Sequence, residues 1–596
     1  MTDTVATERL RSEPRVGGIV PRAIALAYWR ALGAPVGRVA RALHADPADI
    51  AAALAQPVEP ALSGLHAVPR SAVPWAARTA NTLIEQGLSR PQDGQLVFVA
   101  GEGALNAGEV AGLVGRICAG LGARGIGKGD LVAVDASQRL ESYLVALATL
   151  LSGAVLVRLG DTVGPEPLRA MVRAAPARIS FSDRFAQIGP MEQTGARIAL
   201  GDEGPAESFA EFLDRCPEPA AEWRDHLPAV APDDAAFVGF TSGSTGVPKP
   251  MLTSHEAIFR STEIARRVFA FDATDIFCTA TDFTALSAFR SLVTLPLACG
   301  GRVVIPSPEA RQSPLALALE CERYGVTRLT AVPGVIRAFN KAGARLDRDR
   351  LGALRTVFSG SGVLDRTTAE SFGERFSIPV IDYYGGREFA TAAYADAEGE
   401  RTMSAGGGFV HDCAVLIVDE NGVPARPGAV GEIVVHSDSM TLTDLASIRR
   451  AGRWAGWHFT GDLGRFLPDG RLEIVGRIKD VIKSPDGTLV SPAEVEGALN
   501  GLGWVADAAA FSFTDAAGIE RVGAAVALLA GAVPPADPQA EARRAVEAVL
   551  GPHKTPARVL VCAALPQVGR GKPDKRRLRQ MMAEGSADNG AGSRNC

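Results

Sequence analysis

Short apolar runs alternate with amphipathic segments through most of this chain. The apolar runs predict buried strands, and they recur at 95–100, 131–134, 303–306, 328–332, 354–359 and 380–383. Segments with helical periodicity lie between them, the first of which is Ala107–Leu121. Because strands that alternate with helices form parallel sheets covered by helices, the pattern predicts an α/β fold over this region.

The pattern changes near residue 410. Apolar runs at 414–418 and 431–436 flank Asn421-Gly422, and Asp469-Gly470 separates two further short runs. Asn-Gly and Asp-Gly pairs are typical of β-hairpin turns, so a β-rich subdomain is predicted at about 395–475.

The last part of the chain has a third pattern. Beyond a boundary near 477–480, we expect helices at 491–499 and 541–550 and strands at 508–513 and 523–529. The predicted fold class is therefore α/β, with a large N-terminal domain of helix-covered sheets plus a β-rich subdomain, and a small C-terminal α+β domain. The predicted boundaries are 1–75 for a helical N-terminal extension, 76–478 for the large domain, 479–584 for the small domain and 585–596 for a disordered tail rich in Gly, Ser and Asn.

The N-terminal extension has two interpretations. Residues 36–43, 44–49 and 50–54 predict a helix, a turn and a second helix. A DNA-binding helix-turn-helix has this pattern, and so does a helical hairpin packed on the main body. The second predicted helix, 47–56, has no basic residue to reach phosphates, which favours the hairpin.

Composition narrows the function classes. The 596 residues are 47% hydrophobic and 22% charged, with a net charge of -5, so no general attraction to nucleic acid or to acidic membranes is expected. The eight cysteines form no close pair, which argues against a zinc site or a disulfide framework. The longest apolar stretch, Leu144–Val157, is too short to span a bilayer and predicts a buried helix ending near Gly153, then a core strand. We expect a cytoplasmic enzyme without membrane insertion.

One loop interrupts the regular alternation. Phe237–Phe240 predicts a buried strand, and the six residues after it are all Gly, Ser or Thr, namely Thr241, Ser242, Gly243, Ser244, Thr245 and Gly246. Backbone N–H groups of such a loop can form a nest for an anion, and the hydroxyls add donors.

The residues after this loop add to its chemistry. Lys249 supplies a positive charge, and Thr253 or Ser254 is positioned to cap a helix through Ile258. The spacing is not that of a Walker loop, because two residues separate Gly246 from Lys249. A flexible Ser/Gly linker is the alternative, but a Pro-Lys pair directly after the loop favours phosphate binding.

The stretch 237–249 resembles the Thr-Ser-Gly-Thr-Thr-Gly-x-Pro-Lys-Gly signature of adenylate-forming enzymes, which include acyl-CoA synthetases, peptide-synthetase adenylation domains and luciferases. Two positions depart from it, Ser244 and Pro250. Further stretches have counterparts in the same order, so the resemblance covers about residues 97–583. It implies a large adenylation domain and a mobile C-terminal domain.

The second matching stretch, 383–388, resembles the Tyr-Gly-x-Thr-Glu motif of that superfamily. The resemblance implies that Glu388 holds Mg²⁺, whose preferred ligands are hard oxygens, and that Tyr384 and Gly385 lie at the adenine. Arg387 replaces the threonine that touches the α-phosphate, and it would bind that phosphate or an anionic group of the substrate. Taken alone, the hexapeptide also fits a strand end with a surface Arg–Glu pair.

Three further matches complete the predicted nucleotide site. Residues 457–462 resemble the Thr-Gly-Asp motif, which implies that Asp462 accepts the ribose hydroxyls with help from Arg477. Lys479 lies at the position of the domain hinge, and Lys572 matches the catalytic lysine of the C-terminal loop. The resemblance also places Gly362 at the nucleotide. Without it, the segment around Lys572 is a basic run, for which a solvated helix or nucleic-acid binding is the alternative.

The acid-binding pocket is the least defined part of the prediction. We assign to it Asp282, Phe283, Thr284, Ser287, Gly334 and Gly386, with apolar walls that include Phe289. The stretch lacks the histidine of many acyl-CoA synthetases and the Phe-Asp of amino-acid activators. Asp282 is either an anchor for an amine or a buried, satisfied carboxylate.

The resemblance implies ATP-dependent, Mg²⁺-assisted activation of a small-molecule carboxylic acid as an acyl-adenylate, then transfer to the thiol of coenzyme A or of a carrier protein's phosphopantetheine. The superfamily also contains amide-forming enzymes and enzymes of ATP-dependent diazotisation, and Arg387 keeps those alternatives open. An alternative from another class is a non-catalytic nucleotide-binding regulator that uses the N-terminal helices on DNA. The presence of Lys572 argues against it, because a regulator needs no catalytic lysine.

Overall fold

The computed structural model describes residues 36, 47–55, 73–90, 94–135, 137–160, 164–188, 195–201, 206–242, 248–280, 286–343, 346–386, 388–395, 402–410, 413–437, 457–483, 489–515, 517–568 and 572–584. The predicted tail at 585–596 and most of the predicted first helix at 36–43 lie outside these ranges.

The elements before residue 255 are, in chain order, α1 (Pro47–Ala55), α2 (Ala80–Leu88), β1 (Gln95–Val99), β2 (Gly103–Asn106), α3 (Ala107–Ala123), β3 (Leu131–Asp135), α4 (Leu140–Leu151), β4 (Val155–Leu159), α5 (Pro165–Ala174), β5 (Ile179–Phe181), α6 (Phe185–Ile188), β6 (Ala196–Ala199), β7 (Glu207–Ser208), α7 (Phe209–Arg215), β8 (Ala235–Ser242) and β9 (Pro248–Ser254).

The next elements are α8 (His255–Val268), β10 (Ile276–Thr279), α9 (Leu286–Phe289), a π-helix (Arg290–Thr294), α10 (Leu295–Cys299), β11 (Arg302–Ile305), α11 (Pro314–Tyr324), β12 (Arg328–Ala331), α12 (Pro333–Asn340), β13 (Thr356–Ser359), α13 (Arg366–Phe376), β14 (Val380–Gly386), β15 (Ala390–Tyr394) and β16 (Phe409–Val410).

The remaining elements are β17 (Ala414–Val418), β18 (Gly431–His436), β19 (His458–Phe466), β20 (Leu472–Arg477), β21 (Ile482–Lys483), β22 (Leu489–Val490), α14 (Pro492–Asn500), β23 (Val505–Thr514), β24 (Glu520–Leu528), α15 (Pro538–Leu550), β25 (Arg558–Cys562), β26 (Gln567–Val568), β27 (Lys572–Pro573) and α16 (Lys575–Glu584).

Two large sheets form the body of the molecule. One has the strand order β16-β15-β14-β13-β12-β10-β11-β1-β2, and the other has the order β7-β6-β5-β3-β4-β8-β9. The central strands of both are parallel, as the alternating pattern predicts, whereas β2, β9, β15 and β16 pair antiparallel at the edges. α4 is buried from Ser142 to Leu151, which confirms the predicted buried helix.

The predicted β-rich subdomain is an antiparallel sheet of four strands, β17-β18-β19-β20. The predicted turns are present, and Gly422 and Gly470 both adopt positive φ, at 68° and 82°. In the C-terminal part, β23 pairs antiparallel with β24, and β24 pairs parallel with β25. α14, α15 and α16 complete an α+β unit, as predicted. No helix within the described ranges has both the length and the apolar character needed to cross a membrane.

The N-terminal extension contributes to the core. Ile50 of α1 is fully buried, in a cluster that includes Tyr384 and Phe389 beside β14 and Leu472 of β20. Trp75 packs against the same cluster. Packing of α1 on the main body supports the hairpin interpretation of this segment over the DNA-binding one.

This packing predicts that Ile50→Ala destabilises the large domain. Removing buried methylene groups of an isoleucine typically lowers the free energy of unfolding by about 2–5 kcal/mol. Thermal and urea unfolding of the full chain measure the effect. Ala51→Ser, an exposed position on the same helix, is the matched control and should change stability little. Equal stabilities for Ile50→Ala and the control would contradict docking of α1.

Candidate active site

The predicted phosphate loop joins two antiparallel strands. β8 continues to Ser242, two residues further than the predicted strand end, so Thr241 and Ser242 are strand residues. β9 opens at Pro248, with Lys249 exposed opposite Thr241. Gly243, Ser244, Thr245 and Gly246 lie outside the described residues. Lys249 therefore lies directly after the loop that connects β8 with β9.

The helix after this hairpin begins where the sequence predicts a cap. Ser254 accepts a hydrogen bond from the Ala257 amide at 3.1 Å, and α8 runs from His255 to Val268. Ser254, and not Thr253, is therefore the cap, because it directly precedes the first helical residue and its side chain accepts the hydrogen bond.

Tyr384, Asp462 and Arg477 meet at the junction of the nine-stranded sheet and the four-stranded sheet. The Tyr384 hydroxyl donates to Asp462 Oδ2 at 2.8 Å. Antiparallel pairing of β19 with β20 places Asp462 directly opposite Arg477, whose Nε lies 3.1 Å from Asp462 Oδ1. Arg477 is largely exposed while Asp462 is mostly buried, so the carboxylate is fixed from two sides at the edge of an open surface.

Burial raises the pKa of the Asp462 carboxyl, while Arg477 and the Tyr384 hydroxyl act against this shift. Glu388 raises the pKa further and His458 lowers it, so both side chains lie within electrostatic range. His458 was not among the predicted site residues, although it stands in the same hexapeptide as Asp462. An arrangement with a rigid carboxylate acceptor beside an aromatic ring suits a nucleoside, whose ribose offers two hydroxyl donors.

Glu388 lies in the turn between β14 and β15, next to Phe389, and is partly exposed. Phe389 packs on Tyr384 with ring centroids 5.7 Å apart. No group of three or more metal-ligating side chains occurs among the described residues. A lone carboxylate fits Mg²⁺ nonetheless, because this ion is usually held by one or two carboxylates plus substrate phosphates. Arg387 lies outside the described residues.

Tyr383 faces away from Tyr384, since neighbouring residues of a strand alternate. Its ring packs so closely on Gly360 that a Cβ there would lie 2.2 Å from the ring. Gly362 follows in the same turn, and a Cβ there would lie 3.5 Å from Pro333, which begins α12. Gly334 is next to Pro333, and a Cβ on Gly334 would have open space for 4 Å around it. The predicted residues Gly362 and Gly334 therefore lie on one side of Tyr383.

The predicted acid-binding segment is described only in part. Asp282, Phe283 and Thr284 lie outside the described residues, whereas Ser287 is half-buried and its hydroxyl interacts with that of Tyr383. The prediction that Phe289 forms a pocket wall is wrong. Phe289 is fully buried in the core, with its ring 5.7 Å from that of Phe237.

Two glycines of the β14–β15 connection are held by close contacts. A Cβ on Gly385 would lie 2.2 Å from the Ala390 carbonyl oxygen. A Cβ on Gly386 would lie 2.5 Å from the Phe389 ring. Gly386 was predicted in the acid pocket, and the structure places it against Phe389 in the turn that carries Glu388.

The predicted hinge residue lies directly after β20. β20 ends at Arg477, and Lys479 is exposed in the turn that follows. The Asp480 and Val481 amides both donate to the Arg477 carbonyl, at 2.9 and 2.8 Å. The turn that contains Lys479 is thus hydrogen-bonded to Arg477.

Lys572 lies at the base of a short hairpin, where it pairs with Val568. Lys575, just beyond, forms an ion pair with Glu496 at 2.9 Å. Of the described residues, Tyr384, Glu388, Asp462 and Arg477 are brought together at one place. The pairing with Val568 places the backbone of Lys572 in the C-terminal unit.

The C-terminal unit contacts the large domain at a separate polar patch. Arg337 of α12 pairs with Asp507 at 3.0 Å and with Asp365 at 3.6 Å. Asn500 donates to the same Asp365 at 3.5 Å. Lys341 donates to the Ala506 carbonyl at 3.1 Å, and burial lowers the pKa of Lys341 to about 8. This arrangement holds α14 and the start of β23 beside α12 and α13.

Two family models match the chain. The model for the AMP-binding enzyme matches residues 85–443, and the model for the AMP-binding enzyme C-terminal domain matches residues 494–572. The first match spans more than half of the chain, so the chain belongs to the AMP-binding enzyme family. The predictions of the adenylate-forming superfamily and of an AMP-forming ligase are confirmed.

Relatives of full length support this assignment. The 3-hydroxybenzoate--CoA/4-hydroxybenzoate--CoA ligase of Thauera aromatica is 26% identical over 84% of this chain and 97% of its own length. The sulfoacetate--CoA ligase of Cupriavidus necator is 29% identical over 80% of this chain and 92% of its own length. The structure of the anthranilate CoA ligase AuaEII in complex with anthranoyl-AMP superposes with a TM-score of 0.78 at 18% identity, covering 86% of this chain and 99% of that one. The predicted fold class is confirmed.

Asp382, which precedes Tyr383, leads to a pH prediction. Burial raises the pKa of its carboxyl to about 8, and the Met403 amide donates to it at 2.8 Å. Since the folded-state pKa exceeds the unfolded value of about 3.9, this group binds a proton on folding, and its contribution to stability falls as pH rises from about 4 to 8. Asp382→Asn keeps an acceptor for Met403 and should be more stable than the wild type by about 2–5 kcal/mol at pH 8.

Thermal unfolding of both proteins between pH 4 and 9 measures this difference, which should shrink towards pH 4. The control is Asp469→Asn, at an exposed turn where the bond from Arg471 lowers the pKa of the carboxyl. Its effect should be small and constant above pH 6. A difference between Asp382→Asn and wild type that does not change with pH would contradict the assignment.

Proposed function

We propose that this protein activates a small carboxylic acid with ATP, forming an acyl-adenylate and pyrophosphate, and then transfers the acyl group to a thiol. The observation that carries the proposal is the cluster of Tyr384, Asp462 and Arg477 beside Glu388. It supplies a fixed carboxylate, an aromatic ring and a metal-binding oxygen at one site, which is the set of groups that a magnesium nucleotide needs.

Two displacements make up the reaction. A carboxylate oxygen of the acid attacks the α-phosphorus of ATP, the bond between the α-phosphorus and the bridging oxygen breaks, and pyrophosphate leaves. A thiol sulfur then attacks the carbonyl carbon of the acyl-adenylate, AMP leaves, and the thiol loses its proton to solvent or a base. Two anions must approach in the first step, so catalysis depends on positioning and on neutralisation of charge.

Each predicted residue has a role in the first step. Asp462 accepts the ribose hydroxyls and Arg477 fixes this carboxylate. Glu388 would hold Mg²⁺, which supplies positive charge to the phosphates when bound. Lys249 and the loop 241–246 bind the leaving pyrophosphate, and Lys572 bridges the carboxylate and the α-phosphate as negative charge develops.

The names of the relatives support the class of acid and acceptor. Hydroxybenzoate, sulfoacetate and anthranilate are small acids that carry a second polar group. The two relatives named as CoA ligases support coenzyme A as the thiol. A carrier protein's phosphopantetheine presents the same thiol. Product analysis with coenzyme A, with a carrier protein and with nitrite distinguishes thioester formation from amide formation and diazotisation.

Lys572→Ala tests the first step. Loss of a preorganised charged donor typically costs about 10²–10³ in rate, so ATP–pyrophosphate exchange should fall by at least this factor. Binding of ATP, measured by calorimetry, should stay close to that of the wild type, because Asp462 and Arg477 are intact. Lys575→Ala is the matched control, three residues further along and in an ion pair with Glu496. Near-normal exchange in Lys572→Ala would remove this lysine from the mechanism.

Lys479→Pro tests rotation of the C-terminal domain between the two steps. Proline fixes φ near −65°, and the Lys479 amide is not among the donors of the described backbone hydrogen bonds, so the substitution acts on backbone freedom. Pyrophosphate exchange should persist, while thioester formation falls by an order of magnitude or more. Lys479→Ala removes the charge without fixing φ and is the control. Equal loss of both steps in Lys479→Pro would contradict rotation at this hinge.

A further inference from the structure

Arg290 is a buried arginine at the first residue of the π-helix, and its side chain is 6% exposed. Nη1 donates to the Thr391 hydroxyl at 3.0 Å, and Cζ lies 6.0 Å from the centroid of the Tyr383 ring. Among the described residues, Nε finds no hydrogen-bond partner. Within the described part of the chain, no Asp or Glu forms an ion pair with Arg290.

This environment is costly for the protein alone. Arginine keeps its charge in proteins, and a buried charge is unfavourable unless it is paired and hydrogen-bonded. A guanidinium has five N–H donors, and among the described residues they meet one hydroxyl acceptor and the face of one aromatic ring, so most of the donors lack an acceptor there. The arrangement becomes favourable when an anion accepts the remaining N–H groups, because bonds between arginine and a carboxylate or similar group are often bidentate.

No described carboxylate neutralises this charge. Asp382 precedes Tyr383 in β14, so its side chain points to the opposite face of the strand, where the Met403 amide donates to it. Burial raises the pKa of the Tyr383 hydroxyl above its ordinary value, which keeps it protonated. The immediate partners of Arg290 are therefore neutral.

Arg290 shares a neighbour with Ser287, the described residue of the predicted acid-binding segment. Ser287 is half-buried and interacts with the Tyr383 hydroxyl, and the guanidinium of Arg290 lies beside the ring of the same tyrosine. Thr391, the hydrogen-bond partner of Arg290, stands opposite Gly385 in the pairing of β14 with β15. Arg290 therefore lies next to Tyr383 and to the paired ends of β14 and β15.

Arg290 opens a π-helix, and such segments occur often at functional sites. Ser291, directly after it, accepts a hydrogen bond from the Thr330 hydroxyl at 3.0 Å, while Phe289, directly before it, is buried in the core.

We propose that Arg290 binds a second anionic group of the acid substrate, so that the enzyme selects dicarboxylic or sulfonated acids. The inference rests on the proposed function.

The test compares acids in matched pairs. Wild type and Arg290→Met are assayed by ATP–pyrophosphate exchange with propanoate against 3-sulfopropanoate and with benzoate against 3-carboxybenzoate. In the wild type, the dianionic member of at least one pair should have the higher kcat/KM. Arg290→Met should lower kcat/KM for that acid about 10- to 100-fold, as expected for lost hydrogen bonds to a charged group, and spare its monoanionic counterpart.

Binding gives a readout that is independent of catalysis. Calorimetric titration of the preferred dianionic acid, in the presence of the α,β-methylene analogue of ATP, should show the same loss of affinity in Arg290→Met. Thr391→Asp supplies an internal carboxylate beside the guanidinium, and it should raise the melting temperature while removing the preference for the second charge. Arg290→Lys keeps the charge without the bidentate geometry and should retain part of the preference.

The outcomes separate this inference from the function on which it rests. Exchange in the wild type that favours the monoanionic acids, or an equal loss for both members of a pair in Arg290→Met, would overturn the role of Arg290 and leave adenylation standing. Absence of exchange with all four acids in the wild type would contradict the proposed adenylation of such acids. Loss of the preference in both Arg290→Met and Thr391→Asp, with exchange of the monoanionic acids retained, would establish the role.

Discussion

The hydrogen bond from the Tyr384 hydroxyl to Asp462 joins two separate sheets. Tyr384 belongs to the nine-stranded sheet and Asp462 to the four-stranded sheet, and Arg477 holds the second oxygen of the carboxylate. Burial alone would favour protonation of this carboxyl, and the two donors oppose that. The Asp462 carboxylate keeps a defined direction only while both sheets keep their relative position. The apolar cluster around Tyr384, which includes Ile50 and Phe389, is what fixes that position.

The sequence predicts the central strands well because parallel strands buried on both faces are continuous apolar runs. It does not predict β2, β9 or β15, which are edge strands of mixed polarity, and β9 opens with Pro-Lys-Pro. The extension of β8 to Ser242 has the same origin, since its last residues gain hydrogen bonds from a partner strand that no local pattern reveals. Tertiary pairing decides these positions.

The site residues also divide into those that the sequence predicts and those that it does not. Short motifs identify Tyr384, Asp462 and Arg477, because each has a fixed spacing from a glycine or a strand end. Phe289 and Arg290 show the opposite case. The Phe289 ring enters the core and does not line a pocket, and Arg290, which no motif selects, is buried beside Thr391 and Tyr383. Tertiary packing decides both positions.

The polar patch formed by Asp365, Arg337, Asn500 and Asp507 has a thermodynamic consequence. Asp365 caps α13 through the Thr368 amide, and it follows Gly362, a residue predicted at the nucleotide, by three residues. It also holds Arg337 and Asn500, and so connects the turn around Gly362 with the C-terminal unit. If nucleotide occupancy shifts this turn, the affinity between the two domains changes by a certain factor. Linkage then requires that domain association change the affinity for nucleotide by the same factor.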